Sequence, residues 1–182
     1  MKVLLHLADG FEEIEAISVI DVLRRADINI QTVSITGKKE VLGAHDIVVV
    51  ADELFENADY KDAHMLILPG GSQGTEALGQ HTGLEKELLK AVKEDKWIAA
   101  ICAAPTILGK LGLLSGKSAT CYPGLENELT GATTSLTSST LIDGKIITSR
   151  GPGTSLHFAL TIVAILKDEQ TAATLKQKMI IC

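Results

Sequence analysis

The chain has 182 residues, a formal net charge of −6 and 46% hydrophobic residues, of which few are aromatic. That length suits one domain over residues 1–182 with an aliphatic, alanine-rich core. The acidic balance and interrupted basic clusters such as Arg24-Arg25 exclude a nucleic-acid surface, and no apolar run reaches membrane-spanning length.

The apolar start is broken by His6 and Asp9, well short of a signal-peptide core. Residues 2–8 read as a strand ended by Asp9-Gly10. Glu12 and Glu13 open a helix running to about Ala26, with acids in the first turn where the dipole favours them. A second strand over 29–35 makes a βαβ opening and favours a parallel sheet. Short strands at 40–42 and 47–50 follow the Gly37-Lys38-Lys39 turn. Residues 53–60 are too polar for core and read as a helical turn on the surface. The third core strand, 64–68, is closed by Pro69-Gly70-Gly71. Helix follows over 73–78 and 84–94. Then come a strand ending at Cys102, a helix to about Lys110, a short strand at 117–120 and a short helix at 123–129. Asp143-Gly144, between strands 140–142 and 146–149, is the strongest hairpin signal in the chain. Arg150 to Ser155 is a loop and cap. The helix over 156–166 is apolar on most faces and reads as buried, and a last helix covers 169–178. This alternation implies an α/β fold, a three-layer αβα sandwich with a mostly parallel central sheet, whose site lies at the carboxyl ends of the strands.

The stretch from Trp97 to Thr106 carries the strongest chemical signal. Residues 98–101 are apolar on both faces, as in a central parallel strand, and Ala100, Ala103 and Ala104 surround Cys102 with small side chains. A sharp strand-to-helix turn needs such neighbours, and Pro105 fits the first turn of the helix that follows. A thiol there faces a helix N-terminus that favours the thiolate; a small buried cysteine is the plainer reading. Glu15 shares a helical stripe with Val19, Val22 and Ala26, so its carboxyl is paired, neutral with a raised pKa, or a first-turn acid facing water like Glu12. Gly70-Gly71 either ends a strand or exposes N–H groups as an oxyanion site. His6 and His64 read as core residues and His157 as packing. No histidine lies near another at metal-ligand spacing, so no metal is expected, and thiol chemistry on a carbonyl needs no cofactor. Cys102, Cys121 and Cys182 form no disulfide framework, which points to a reduced, cytoplasmic protein. Cys121 is a second thiol or mere filling.

Four motifs in order resemble the ThiJ/PfpI superfamily and its DJ-1-like, deglycase branch. They are Asp9-Gly10-Phe11-Glu12-Glu13-Ile14-Glu15-Ala16, Leu68-Pro69-Gly70-Gly71, Ala99 through Thr106, and Thr148-Ser149-Arg150-Gly151-Pro152-Gly153-Thr154-Ser155. The resemblance implies a flavodoxin-like sandwich and a homodimer with the site near the interface. It implies Cys102 as nucleophile, a protonated Glu15 hydrogen-bonded to its thiolate, and the N–H groups of Gly71 and Ala103 as oxyanion donors. This chain departs from the pattern at Ala103, where other branches carry histidine. It departs also at Tyr122, where the deglycase branch often has histidine, and at His45, where it often has arginine. The implied activity is conversion of glyoxal, methylglyoxal or their early adducts, including glycated protein, through a hemithioacetal on Cys102. The alternative is a redox-responsive stress protein or chaperone whose Cys102 is oxidised. Gly70 joins the candidate substrate site, with Tyr122, His45 and Arg150 around it.

Overall fold

A computed structural model describes residues 1–181; Cys182 lies outside the described residues. The strands are β1 (Lys2–Leu7), β2 (Asn29–Ser34), β3 (Glu40–Leu42), β4 (Val48–Val50), β5 (Glu53–Leu54), β6 (Ala63–Leu68), β7 (Trp97–Ile101), β8 (Ser118–Ala119), β9 (Thr133–Thr134), β10 (Thr140–Asp143) and β11 (Ile146–Ser149). The helices are α1 (Glu13–Arg25), α2 (Ser72–Gln80), α3 (Thr82–Lys93), α4 (Pro105–Lys110), α5 (Ser155–Leu166) and α6 (Glu169–Lys178).

Seven strands form one sheet in the order β10-β11-β7-β6-β1-β2-β5. Its pairs are parallel except the β10–β11 hairpin, which forms where the sequence signals it but turns at Gly144-Lys145, because Asp143 stays in the strand and pairs with Ile146. Helices cover both faces, so the fold is the expected α/β sandwich. Along β7 the alternation is direct: Ala99 and Ile101 join the core under α1 and α5, whereas Ile98 and Ala100 join the core under α2, α3 and α4. A strand covered on both faces has no polar side to show, which is why residues 98–101 read as a continuous apolar run. The chain runs from β1 outward to β2, then returns to β6 and continues the other way to β7. Between β1 and β6 the order reverses, and the carboxyl ends there leave a crevice.

Several local expectations need correction. Residues 53–60 are not one surface turn: Glu53 and Leu54 add an edge strand to β2, Phe55–Asn57 form a 3-10 turn, and Tyr60 is buried. The aromatic ring outweighs its polar neighbours because its hydroxyl finds His6, 2.9 Å away. His6 is in the core as expected, but His64 and His157 are exposed. In α5, Leu156 and His157 are exposed, so that helix is buried on most but not all sides. The expected helix over 123–129 shrinks to a 3-10 turn at Glu126–Glu128. Strand β8 finds a partner, β9, that carries no local signal. No helix among the described residues is long and apolar enough to cross a membrane.

Candidate active site

Three connections meet at the crevice, and short backbone bonds tie them together. Glu12 N–H donates to the Gly70 carbonyl at 3.0 Å, and Gly74 N–H to the Gly10 carbonyl at 3.1 Å. Gly71 sits at φ 92°, and a Cβ there would strike the carbonyl of Gly10, so only glycine lets the two loops approach this closely. A Cβ on Gly70 would lie 2.6 Å from the Cys102 Cβ and 2.7 Å from Glu15 Oε2. The glycine pair therefore holds open the space in which thiol and carboxyl meet.

Cys102 itself adopts φ 65°, a left-handed conformation that costs a non-glycine residue about 1–2 kcal/mol. Its backbone is held from both sides: its N–H donates to the Ser149 carbonyl at 2.9 Å, and its carbonyl accepts from Tyr122 N–H at 2.8 Å. Ala104 N–H closes the turn onto the Ile101 carbonyl at 3.1 Å, and Pro105 stands at the first position of α4. This is the sharp strand-to-helix elbow that the small residues predict. It leaves the thiol half-buried at the crevice floor.

Glu15 is fully buried on the inner stripe of α1. Its Oε2 accepts from the Gly70 N–H at 2.7 Å, while its Oε1 has no oxygen or nitrogen partner among the described residues. Gly70 thus orients the acid, and its N–H is not free as an oxyanion donor. Burial pushes the Glu15 carboxyl up to about 7, against the pull of the Gly70 N–H. Burial also pushes the Cys102 thiol up to about 12, helped by the charge of Glu15 and its hydrogen bond, while the N–H groups of Ala103 and Gly71 pull it down. The helix N-terminus alone therefore does not make a thiolate here. The two groups titrate as a pair. When Glu15 keeps its proton, its charge vanishes and its O–H becomes a donor to sulfur, so the acid proton decides whether the thiolate is tolerated.

The remaining candidates divide. Tyr122 is exposed, with its ring 3.3 Å from where a Gly151 Cβ would stand and beside the crevice. Arg150 does not line the crevice; burial, and after it the Glu126 and Glu128 charges, push the Cys121 thiol up to about 11 against the pull of Arg150. His45 faces Glu13 rather than Cys102: its N–H and Nδ1 contact the Glu13 carboxylate at 2.7 and 2.8 Å. Burial alone would push the Glu13 carboxyl up, but its bonds to the His45 ring and backbone leave it below the usual range. Glu12, Glu13 and His45 bring one potential ligand atom each within 4.8 Å of one another. A search for histidines at metal spacing misses such a cluster, because the fold and not the sequence brings its members together. The bonds to His45 already engage both oxygens of Glu13.

From Cys102 an open groove of about 950 Å³ runs between α2 and α4. It is lined beyond the elbow by Glu12, Thr75, Glu76, Thr106 and Lys110, none of which the sequence motifs single out except Glu12 and Thr106. Helical spacing could have found Thr75 and Glu76, had the helix after Gly71 been recognised as the groove wall.

The DJ-1/PfpI family model matches residues 1–165. Protein DJ-1 homolog B of Arabidopsis thaliana is 40% identical over 163 residues, 89% of this chain but 37% of that protein. The chain thus spans well under half the length of that plant relative. The glutathione-independent glyoxalase DJR-1.2 of Caenorhabditis elegans is 33% identical over 91% of this chain and 88% of its own. The structure of oxidized Toxoplasma gondii DJ-1 superposes with a TM-score of 0.94 at 31% identity, covering 98% of this chain and 97% of that one. With its elbow, its buried acid and its glycine pair in the order that the motifs require, this chain belongs to the DJ-1/PfpI family.

Proposed function

We propose that the protein is a cofactor-independent enzyme that converts small 2-oxoaldehydes, with methylglyoxal as the test substrate, into 2-hydroxy acids. The observation that carries this reading is the buried Glu15, whose Oε1 has no oxygen or nitrogen partner among the described residues and whose proton is held to about pH 7 beside the Cys102 sulfur. The Cys102 thiolate adds to the aldehyde carbon, and the N–H groups of Gly71 and Ala103 stabilise the alkoxide, which then takes the Glu15 proton. The Glu15 carboxylate removes the C1 proton of the hemithioacetal and returns it at C2 through the enediol, leaving a 2-hydroxyacyl thioester. Water hydrolyses that thioester and frees the thiol. C1 is oxidised and C2 reduced within one molecule, so methylglyoxal plus water balances to lactate with no outside oxidant. The glyoxalase name of the C. elegans relative supports this reading.

A second reading, a thiol that records oxidation, is favoured by the same half-buried sulfur and by its likeness to an oxidized relative. Turnover separates the two. Purified protein should form many equivalents of lactate from methylglyoxal, and Cys102→Ala none. Fewer than about one equivalent per thiol would leave the oxidation reading in place.

The assembly proposed for this enzyme is a homodimer in a reducing, cytoplasmic setting. Ile14 and Ile17 on the outer face of α1, and Val48 and Val50 on the β3–β4 hairpin, are 43–64% exposed. The hairpin is fixed to the start of α1 by the Gly10–Leu42 backbone bond and by the His45–Glu13 pair. Such an apolar face beside the site suits burial against a second copy.

A further inference from the structure

The groove between α2 and α4 is larger than a three-carbon aldehyde needs, and its walls are unevenly charged. Lys110 is occupied by Glu128 at 3.3 Å. Glu12 and Glu76 have no lysine or arginine partner among the described residues; Glu76 accepts only from Gln80 Nε2, at 3.1 Å, and Glu12 has only the His45 ring, 3.8 Å away. Thr75 lines the groove with these carboxylates, 8% exposed, and its Oγ1 has no partner among the described residues. A helical threonine ordinarily bonds back to the carbonyl one turn earlier. Here the Gly71 carbonyl accepts the Thr75 backbone N–H at 2.8 Å, but the hydroxyl makes no such bond. An orphaned buried hydroxyl is a costly feature unless something occupies it.

We infer that this groove is a second subsite that holds the cationic tail of a substrate whose carbonyl end reaches Cys102. The lining offers acceptors (the Thr75 hydroxyl and the Glu12 and Glu76 carboxylates), and its one cation is neutralised. An ammonium or guanidinium, which has donors and no acceptor, satisfies that set. An anionic tail would meet two carboxylates with no counter-charge. The inference refines the carbonyl-enzyme reading by naming the charge of the carrier, and its test does not depend on turnover.

The test is protection of Cys102 from iodoacetamide, read by mass spectrometry on the Cys102 peptide so that Cys121 does not interfere. The probes are N-acetylarginine amide, its neutral isostere N-acetylcitrulline amide, the anionic N-acetylglutamate amide, and an arginine tripeptide with blocked ends. The arginine probe should half-protect at a concentration at least tenfold below the citrulline probe, and the glutamate probe should not protect. Glu76→Gln, an exposed and conservative change, should cut that preference below threefold, and Thr75→Val should weaken the arginine probe several-fold. Protection by the tripeptide would assign the tail to a peptide side chain; protection by the single residue alone would assign it to a free small molecule. Equal protection by arginine and citrulline, or a preference that survives Glu76→Gln, would overturn the subsite. Protection without any turnover of methylglyoxal would overturn the proposed activity and leave the subsite standing.

Discussion

The substitution Glu15→Gln separates what the acid does electrostatically from what it does as a proton carrier. Gln keeps the shape and an acceptor for the Gly70 N–H, now 2.7 Å from Oε2. It removes the charge and the transferable proton. Glu15 Oε2 and the Cys102 sulfur both lie within about 3 Å of the point where a Gly70 Cβ would stand, so they are at most about 6 Å apart. At an effective dielectric of about 20 a full charge at that separation is worth about 3 kcal/mol, or about two pKa units on the thiol. In the wild type, the pH profile of Cys102 alkylation should show a step near pH 7, where the pair loses its first proton, and a second rise far above it. Glu15→Gln should show one midpoint, about two units below that second rise. Turnover should move the other way and fall by a factor of about 100 or more, because the shuttle between C1 and C2 is gone. The assay is iodoacetamide labelling from pH 5 to 11 beside lactate formation. Identical labelling profiles in the two proteins would remove Glu15 from the thiol's electrostatics, and unchanged turnover would remove it from the chemistry.

Three other outcomes are expected. Gly70→Ala should leave the protein folded but reduce turnover by about 100-fold, because its Cβ must displace the Cys102 Cβ or the Glu15 carboxylate, each within 2.7 Å; unchanged kcat/KM would show that the crevice is slacker than it looks. Tyr60→Phe should lower stability by about 1–3 kcal/mol in urea titrations at pH 7.5, because it leaves His6 Nε2 buried without its donor at 2.9 Å. Ile17→Lys should convert a dimer into a monomer in sedimentation at micromolar concentration, and a wild type that already sediments as a monomer would remove the proposed interface.

The elbow was legible because its requirements are local. Small residues at positions 100, 103 and 104 and a proline at 105 are demanded by the turn itself, and the structure returns them with Cys102 at φ 65°. The sandwich was legible for a similar reason, since the β1-α1-β2 opening and the strand-helix succession from β6 to α4 each carry their own periods. What sequence could not show depends on partners distant in the chain. Glu12, Glu13 and Glu15 share one short run, yet one lines a groove, one grips His45 and one sits under Cys102. Helical phase places them only to within a residue, and no local rule says which carboxylate will find a donor 55 residues away. His64 and His157 failed for the opposite reason. Each lies in an apolar segment, but the register turns it outward. A helix N-terminus is a local argument for the thiolate, whereas the burial and the Glu15 carboxyl that push the thiol up come from partners distant in the chain.

Two buried groups whose shifts fall between acid and neutral pH also make a prediction about stability as a whole. His6 is fully buried and its pKa is lowered from 6.5 to about 4, chiefly by desolvation. The folded state therefore binds that proton less tightly than the unfolded chain. The stability it protects is complete above about pH 6.5 and is lost as the pH falls towards 4. Glu15 has the opposite sign, with its pKa raised from 4.5 to about 7 by burial. Its favourable contribution is complete below about pH 4.5 and is lost as the pH rises through 7. Each swing is worth about 3 kcal/mol, and the two cover nearly the same interval, so in the wild type they largely cancel. Glu15→Gln removes one arm. Relative to wild type, the variant should gain stability from pH 5 to about 7 and level off by pH 8, by about 2.5 kcal/mol in all, and groups that titrate alike in both proteins drop out of that difference. Urea midpoints across this range measure it directly. A difference that does not change with pH would mean that Glu15 titrates in the folded protein as it does in the unfolded chain, and that its proton is not available to the thiol at neutral pH.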